Sequence, residues 1–94
     1  MPRDDVTLTG FLRCRDEADA DVVRRHLPEH IRRTRAEPGC AAFAVEPTAD
    51  PLIWSVAERF VDQEAFAAHQ RRVAGSEWGR ATAGIPREYE VRGL

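Results

Sequence analysis

The sequence predicts an α+β fold: one four-stranded antiparallel sheet with two helices on one face, in the chain order β-α-β-β-α-β. Three observations predict it. Short runs of β-rich or alternating residues trade places with 3.6-period apolar runs in that order. The runs beginning at Cys40 and Leu52 are joined by Pro47-Thr48-Ala49-Asp50-Pro51, a turn sequence that marks a hairpin. Both helical runs open on an aspartate, Asp16 or Asp62, and close at a glycine, Gly39 or Gly75.

Val6-Thr7-Leu8-Thr9-Gly10-Phe11-Leu12 reads as the first strand. Asp16 suits an N-cap, and Glu17, Asp19 and Asp21 place negative charge where the helix dipole favours it. Ala20, Val23, Leu27, Ile31 and Thr34 then recur at helical spacing, and Arg32, Arg33 and Arg35 suit the last turn. Pro28 falls inside this pattern and predicts a kink or the start of a second segment. The second strand spans 40–46 and the third 52–60. Asp62 opens the second helix, which carries Phe66, His69 and Val73 on one face and ends near Gly75. Ser76 can cap a short helical turn bearing Trp78, closed by Gly84, and Pro86 leads into the fourth strand, 87–93. This order is that of the ferredoxin-like fold.

The chain has 94 residues, which is one domain, 1–94, with a thin core that oligomerisation commonly supplements. Its net charge of -2 carries no basic footprint, so nucleic acid is not expected as a partner. No apolar run approaches the ~20 residues a membrane span needs, and Met1-Pro2-Arg3-Asp4-Asp5 has no signal-peptide core, so a cytoplasmic protein without a membrane partner is expected. Cys14 and Cys40 are too few for a disulfide framework and read as reduced, packed thiols. No glycine-rich phosphate loop and no metal-ligand set is present, so no cofactor is expected. His26-Leu27-Pro28-Glu29-His30 spells H-x-x-E-H, but the proline interrupts the helix that a zinc site would need, and no third ligand is evident.

Both faces of the sheet read as weakly polar. Leu52, Trp54 and Val56 point one way and Ile53, Ser55 and Ala57 the other, with no charge before Glu58 and Arg59. A sheet open to water alternates more cleanly, so the second face is expected to be covered by another copy, giving a homodimer.

Arg35-Ala36-Glu37-Pro38-Gly39-Cys40 joins the first helix to the second strand; Glu58-Arg59-Phe60 closes the third strand; and Asp62, Ala65-Phe66 and His69 open the second helix. Together these resemble the antibiotic biosynthesis monooxygenase (ABM) family over nearly the whole chain. The resemblance implies two sheets packed face to face as a dimeric α/β barrel. It also implies an enzyme of the kind that oxidises phenols or quinols with dioxygen and no cofactor; other members degrade haem. The best-understood members use an asparagine in the site. This chain has no asparagine, which disfavours haem degradation and implies a changed hydrogen-bond network, with Thr7, Thr9 or Ser55 as hydroxyl donors.

His69 matches a histidine common in that family's second helix and titrates near neutrality, so it is a candidate catalytic residue; packing against a strand is the alternative. Glu58 shares a strand face with Trp54 and Val56, so its carboxylate must be paired or raised in pKa, either as a base or in a structural ion pair. Trp54, Trp78, Phe43, Phe66 and Tyr89 are candidate walls for a flat aromatic substrate, with core packing the alternative for each. Two functions remain open: a cofactor-independent monooxygenase acting on a phenol- or quinol-type molecule, and a non-catalytic dimeric binding or accessory module. A weaker third gives the fold isomerase or cyclase chemistry.

Overall fold

The structure, a computed structural model, describes residues 4–94; the reading of Met1, Pro2 and Arg3 as no part of a leader lies outside the described residues. The elements run β1 (Val6–Arg13), α1 (Glu17–Arg35), β2 (Cys40–Pro47), β3 (Ile53–Phe60), α2 (Gln63–Ala74), α3 (Glu77–Ala81) and β4 (Arg87–Arg92). The strands form one antiparallel sheet in the order β2-β3-β1-β4. This is the ferredoxin-like arrangement expected.

Local chemistry sets the helix starts. The Asp16 side chain accepts the Asp19 N–H at 3.0 Å, Asp62 accepts that of Ala65 at 2.7 Å, and Ser76 accepts that of Gly79 at 3.0 Å. Each satisfies a backbone donor that the helix itself cannot. Of the two expectations for Pro28, a second segment is corrected: α1 is one 19-residue helix through it. Proline removes a single N–H, and the buried face of Ala20, Val23, Leu27, His30 and Thr34 holds the helix on the sheet across that gap.

The core lies between the sheet and the helices. Val6, Leu8 and Leu12 of β1, Phe43 and Val45 of β2, and Trp54, Val56 and Phe60 of β3 point inward. Phe60 is fully buried, a gain of about 2–3 kcal/mol over exposure. Two glycines permit close approach. A Cβ on Gly39 would lie 2.3 Å from the Ala65 Cβ, so the turn after α1 and the start of α2 touch only because Gly39 has no side chain. Gly10 has φ +150°, and a Cβ there would lie 2.0 Å from the Glu88 carbonyl oxygen of β4. The outer sheet face presents Thr9, Phe11, Ala44, Ser55 and Ala57 among charged neighbours, and Phe11 is 40% exposed. All six residues of β4 are exposed.

Candidate functional site

A cavity of about 380 Å³ opens between the helices and the inner face of the sheet, a size that suits a small-molecule ligand. Leu8 supplies wall from β1, Phe43 and Val45 from β2, and Val56 and Glu58 from β3. His30 of α1, His69 and Val73 of α2, Trp78 of α3, and Arg87 and Tyr89 of β4 complete its chemistry.

His69 is 3% exposed and lies between two carboxylates, one of which holds it. Its Nδ1 lies 2.8 Å from Oε1 of Glu37, and Nε2 lies 3.7 Å from Oε1 of Glu58. The other Glu37 oxygen accepts Nε–H of Arg72 at 2.6 Å, and Arg72 Nη2 donates to Thr34 Oγ1 at 3.0 Å. With Glu37 committed as an acceptor, the network assigns the imidazole proton to Nδ1 and leaves Nε2 bare toward Glu58. Burial holds the His69 pKa below its ordinary value; the Glu37 hydrogen bond and charge oppose that and Arg72 reinforces it.

Glu58 sits at the sheet centre, paired in register with Leu8 and Phe43. Its side chain is 8% exposed, and Oε1 has no hydrogen-bond partner. Burial, seconded by the negative charge of Glu37, raises its pKa to about 7. A carboxyl near its midpoint therefore faces a bare imidazole nitrogen, just beyond hydrogen-bond reach. The pair can take one proton from a ligand hydroxyl and return it, the work of a general base and acid.

The aromatic wall is a separate cluster. The His30 ring stacks on Trp78 with centroids 4.5 Å apart and planes within 5°. Phe43 meets His30 edge to face at 5.3 Å. Arg87 fixes this side by donating to the Thr82 and Ile85 carbonyls at 2.7 and 2.9 Å and to Thr82 Oγ1 at 2.7 Å, while Thr82 donates to the Trp78 carbonyl at 2.7 Å.

Of the residues singled out in the sequence, His69, Glu58, Trp78, Phe43 and Tyr89 line this cavity, and Trp54 and Phe66 do not. Trp54 shares the inward face with Glu58, but it stands four positions along β3, paired with Leu12 and Pro47, about 13 Å away at strand rise. It is a core residue at the far end. Phe66 packs edge-on against Phe60 with centroids 5.7 Å apart, one helical turn before His69. Thr9 and Ser55 belong to the outer face and reach no inward site; Thr7, paired with Arg59, shares it.

Sequence reasoning missed the partners that hold His69, namely Glu37, Arg72 and Thr34, and it discarded His30 with the H-x-x-E-H string. The signal for Glu37 was present, since it opens the Glu-Pro-Gly-Cys stretch. Among the described residues no group of three or more His, Cys, Asp and Glu side chains could hold a metal ion, and no helix is long and apolar enough to cross a membrane.

The family description "antibiotic biosynthesis monooxygenase" matches residues 5–80. No curated protein matches the chain. Solved structures do. A candidate antibiotic biosynthesis monooxygenase from Caulobacter crescentus is 14% identical with a TM-score of 0.75, covering 98% of this chain and 91% of its own. A second, from Nitrosomonas europaea, is 21% identical with a TM-score of 0.71, covering 100% and 93%. Rv0793 from Mycobacterium tuberculosis is 23% identical with a TM-score of 0.72, covering 93% and 91%. At these identities the likeness is one of fold.

Proposed function

The chain belongs to the antibiotic biosynthesis monooxygenase family, and from that premise we propose that it is a cofactor-independent monooxygenase that oxidises a phenol- or quinol-type aromatic molecule with dioxygen. The observation that carries this reading is the Glu58–His69 pair: a carboxyl raised to about 7 beside a neutral imidazole, in a mostly apolar cavity.

The chemistry asks for little more. Deprotonating the substrate hydroxyl makes the ring electron-rich enough to reduce dioxygen itself. For a phenol the balance is simple. The ring gains one oxygen at carbon, loses that carbon's hydrogen and the hydroxyl proton, and becomes a quinone. The second oxygen atom leaves as water with those two hydrogens. All four electrons come from the substrate, so no external reductant is required. Glu58 or His69 Nε2 takes the hydroxyl proton and can return it to the departing oxygen. Glu37 holds Nδ1–H of His69, so the imidazole presents the same nitrogen throughout. Apolar walls from Leu8, Val45, Val56 and Val73 keep the anion poorly solvated and reactive.

We also propose a homodimer through the outer sheet face. Phe11, Ala44 and Ala57 on that face support it, because a second copy would cover them. Sedimentation at micromolar concentration is expected to give twice the 10.6 kDa chain mass; a monomer counts against it.

The activity is tested by oxygen consumption with a panel of naphthols and hydroquinones, using protein free of metal and flavin. Incorporation of one labelled atom from ¹⁸O₂ into a quinone product supports the reading. Tight binding of the same molecules without oxygen uptake favours a binding module instead.

A further inference from the structure

The proton path described above does not use His30. Yet His30 is 6% exposed, lines the cavity, and has one ring face covered by Trp78 and an edge against Phe43. Its Nδ1 is sealed from solvent and, among the described residues, no protein group bonds to it. A neutral imidazole carries one N–H. Placed on the sealed Nδ1, it would be a buried donor with no acceptor, the rarest kind of orphan. Placed on Nε2, it leaves Nδ1 as a bare acceptor and puts the donor on the ring nitrogen that is not a sealed orphan. The ring centroids of His30 and His69 lie 6.2 Å apart. That separation is of the order that one oxygen accepting from one ring and facing the other would span, at about 2.9 Å per hydrogen bond.

We propose that His30, as the Nε2–H tautomer, donates a hydrogen bond to the ionising oxygen of an aromatic substrate in this cavity, while the Glu58–His69 pair takes that oxygen's proton. The proposal deepens the oxygenase reading and rests on it. It divides the labour between two buried histidines. Burial above all, seconded by the neighbouring His69 and by the positive charges of Arg72, Arg87 and Arg33, depresses the His30 pKa to about 3. His30 thus stays neutral through the physiological range and stabilises an oxyanion without competing for its proton. The stack with Trp78 fixes the ring, so the donor is aimed before the substrate arrives. The ligand class follows: a flat aromatic molecule bearing at least one acidic hydroxyl.

The test is anaerobic binding of 1-naphthol and of naphthalene, which lacks the hydroxyl, to wild type, His30→Phe and His30→Gln. Phenylalanine keeps the stack and removes the donor; glutamine restores an N–H. His30→Phe is expected to weaken 1-naphthol about tenfold or more while leaving naphthalene within about twofold, and His30→Gln to recover most of the loss. Equal 1-naphthol affinity in wild type and His30→Phe overturns the donor role and leaves the oxygenase reading standing. A parallel loss of both ligands does the same, because it makes His30 only a wall. Wild type that takes up neither ligand overturns the aromatic-phenol reading and this one together. If His30→Phe does not fold, ¹⁵N shifts of His30 in wild type decide: a protonated Nε2 with bare Nδ1 is expected, and an Nδ1–H tautomer or an imidazolium at pH 6 is fatal.

Discussion

The two walls of the cavity carry the same residue type under nearly the same burial and treat it in opposite ways. On the α2 wall, His69 is tied through Nδ1 to Glu37, which is itself held by Arg72. On the α1–α3 wall, His30 is gripped by rings alone, Trp78 and Phe43, and its Nδ1 has no polar partner. Burial pushes both imidazoles toward neutrality. Glu37 opposes that push only at His69, so only His69 remains poised to accept a proton. The lesson is that burial removes charge from a histidine, and a fixed carboxylate determines whether it can be regained.

The largest effect is expected from His69→Ala. If His69 handles the proton, turnover of an oxidisable phenol falls about 10²–10⁴-fold with the assembly unchanged. A loss of only about 1–3 kcal/mol in stability, with ligand binding and turnover intact, would make the α2 wall as passive as packing. The measurements are a melting curve and oxygen uptake on the same preparation.

Next is Glu37→Ala. Arg72 would keep its charge with Nη1 already buried and unbonded, and His69 would lose its anchor. Stability is expected to drop by about 3 kcal/mol, with a further loss of turnover. An unchanged melting temperature would erase the distinction between the walls.

Glu58→Gln probes the carboxyl between them. The folded-state pKa of Glu58 is about 7 against an ordinary 4.5, so the folded protein holds this proton more tightly than the unfolded chain. Its contribution is therefore full below pH 4.5 and is lost as the pH rises to 7. The sign at His30 is reversed. With a folded value of about 3 against 6.5, it makes stability rise with pH across that interval. The two slopes oppose each other where the windows overlap. Glu58→Gln should unmask the rising limb under acid conditions and gain about 3 kcal/mol at pH 8, read by urea melts across pH. Turnover in wild type should rise through about pH 7, and the variant should lose that limb. Parallel stability curves for wild type and variant would contradict the raised carboxyl.

Trp54→Phe is the smallest perturbation and the control outside both walls. It should cost under about 1.5 kcal/mol and leave 1-naphthol affinity unchanged, as isothermal titration would show. A weakened ligand would extend the cavity down β3.

The framework was legible because its signals are local. Alternation, aspartate caps and a proline-bounded turn each act within a few residues, and the strand order followed. Pro28 did not begin a second segment, because whether one missing N–H ends a helix is decided by tertiary packing rather than by the proline itself. The site was only half legible. Strand alternation shows which face Trp54 and Glu58 occupy, but not which point along β3 the cavity reaches. The Glu37–His69 bond spans 32 residues and Thr34–Arg72 spans 38, separations that no periodicity reports. His30 was hidden by a metal-site reading of its own motif.

The edge position of β4 has a dynamic consequence. The strand delivers Tyr89 and Arg87 to the cavity while pairing only with β1, and all six of its residues are exposed. Peeling it back breaks one ladder and the Arg87 bonds to Thr82 and Ile85 and uncovers little apolar surface, whereas displacing β3 would break two ladders and open the core. The free energy of local opening is therefore lowest on this side of the cavity. Backbone amides of β4 are accordingly expected to exchange with solvent sooner than those of β3, which hydrogen exchange would read.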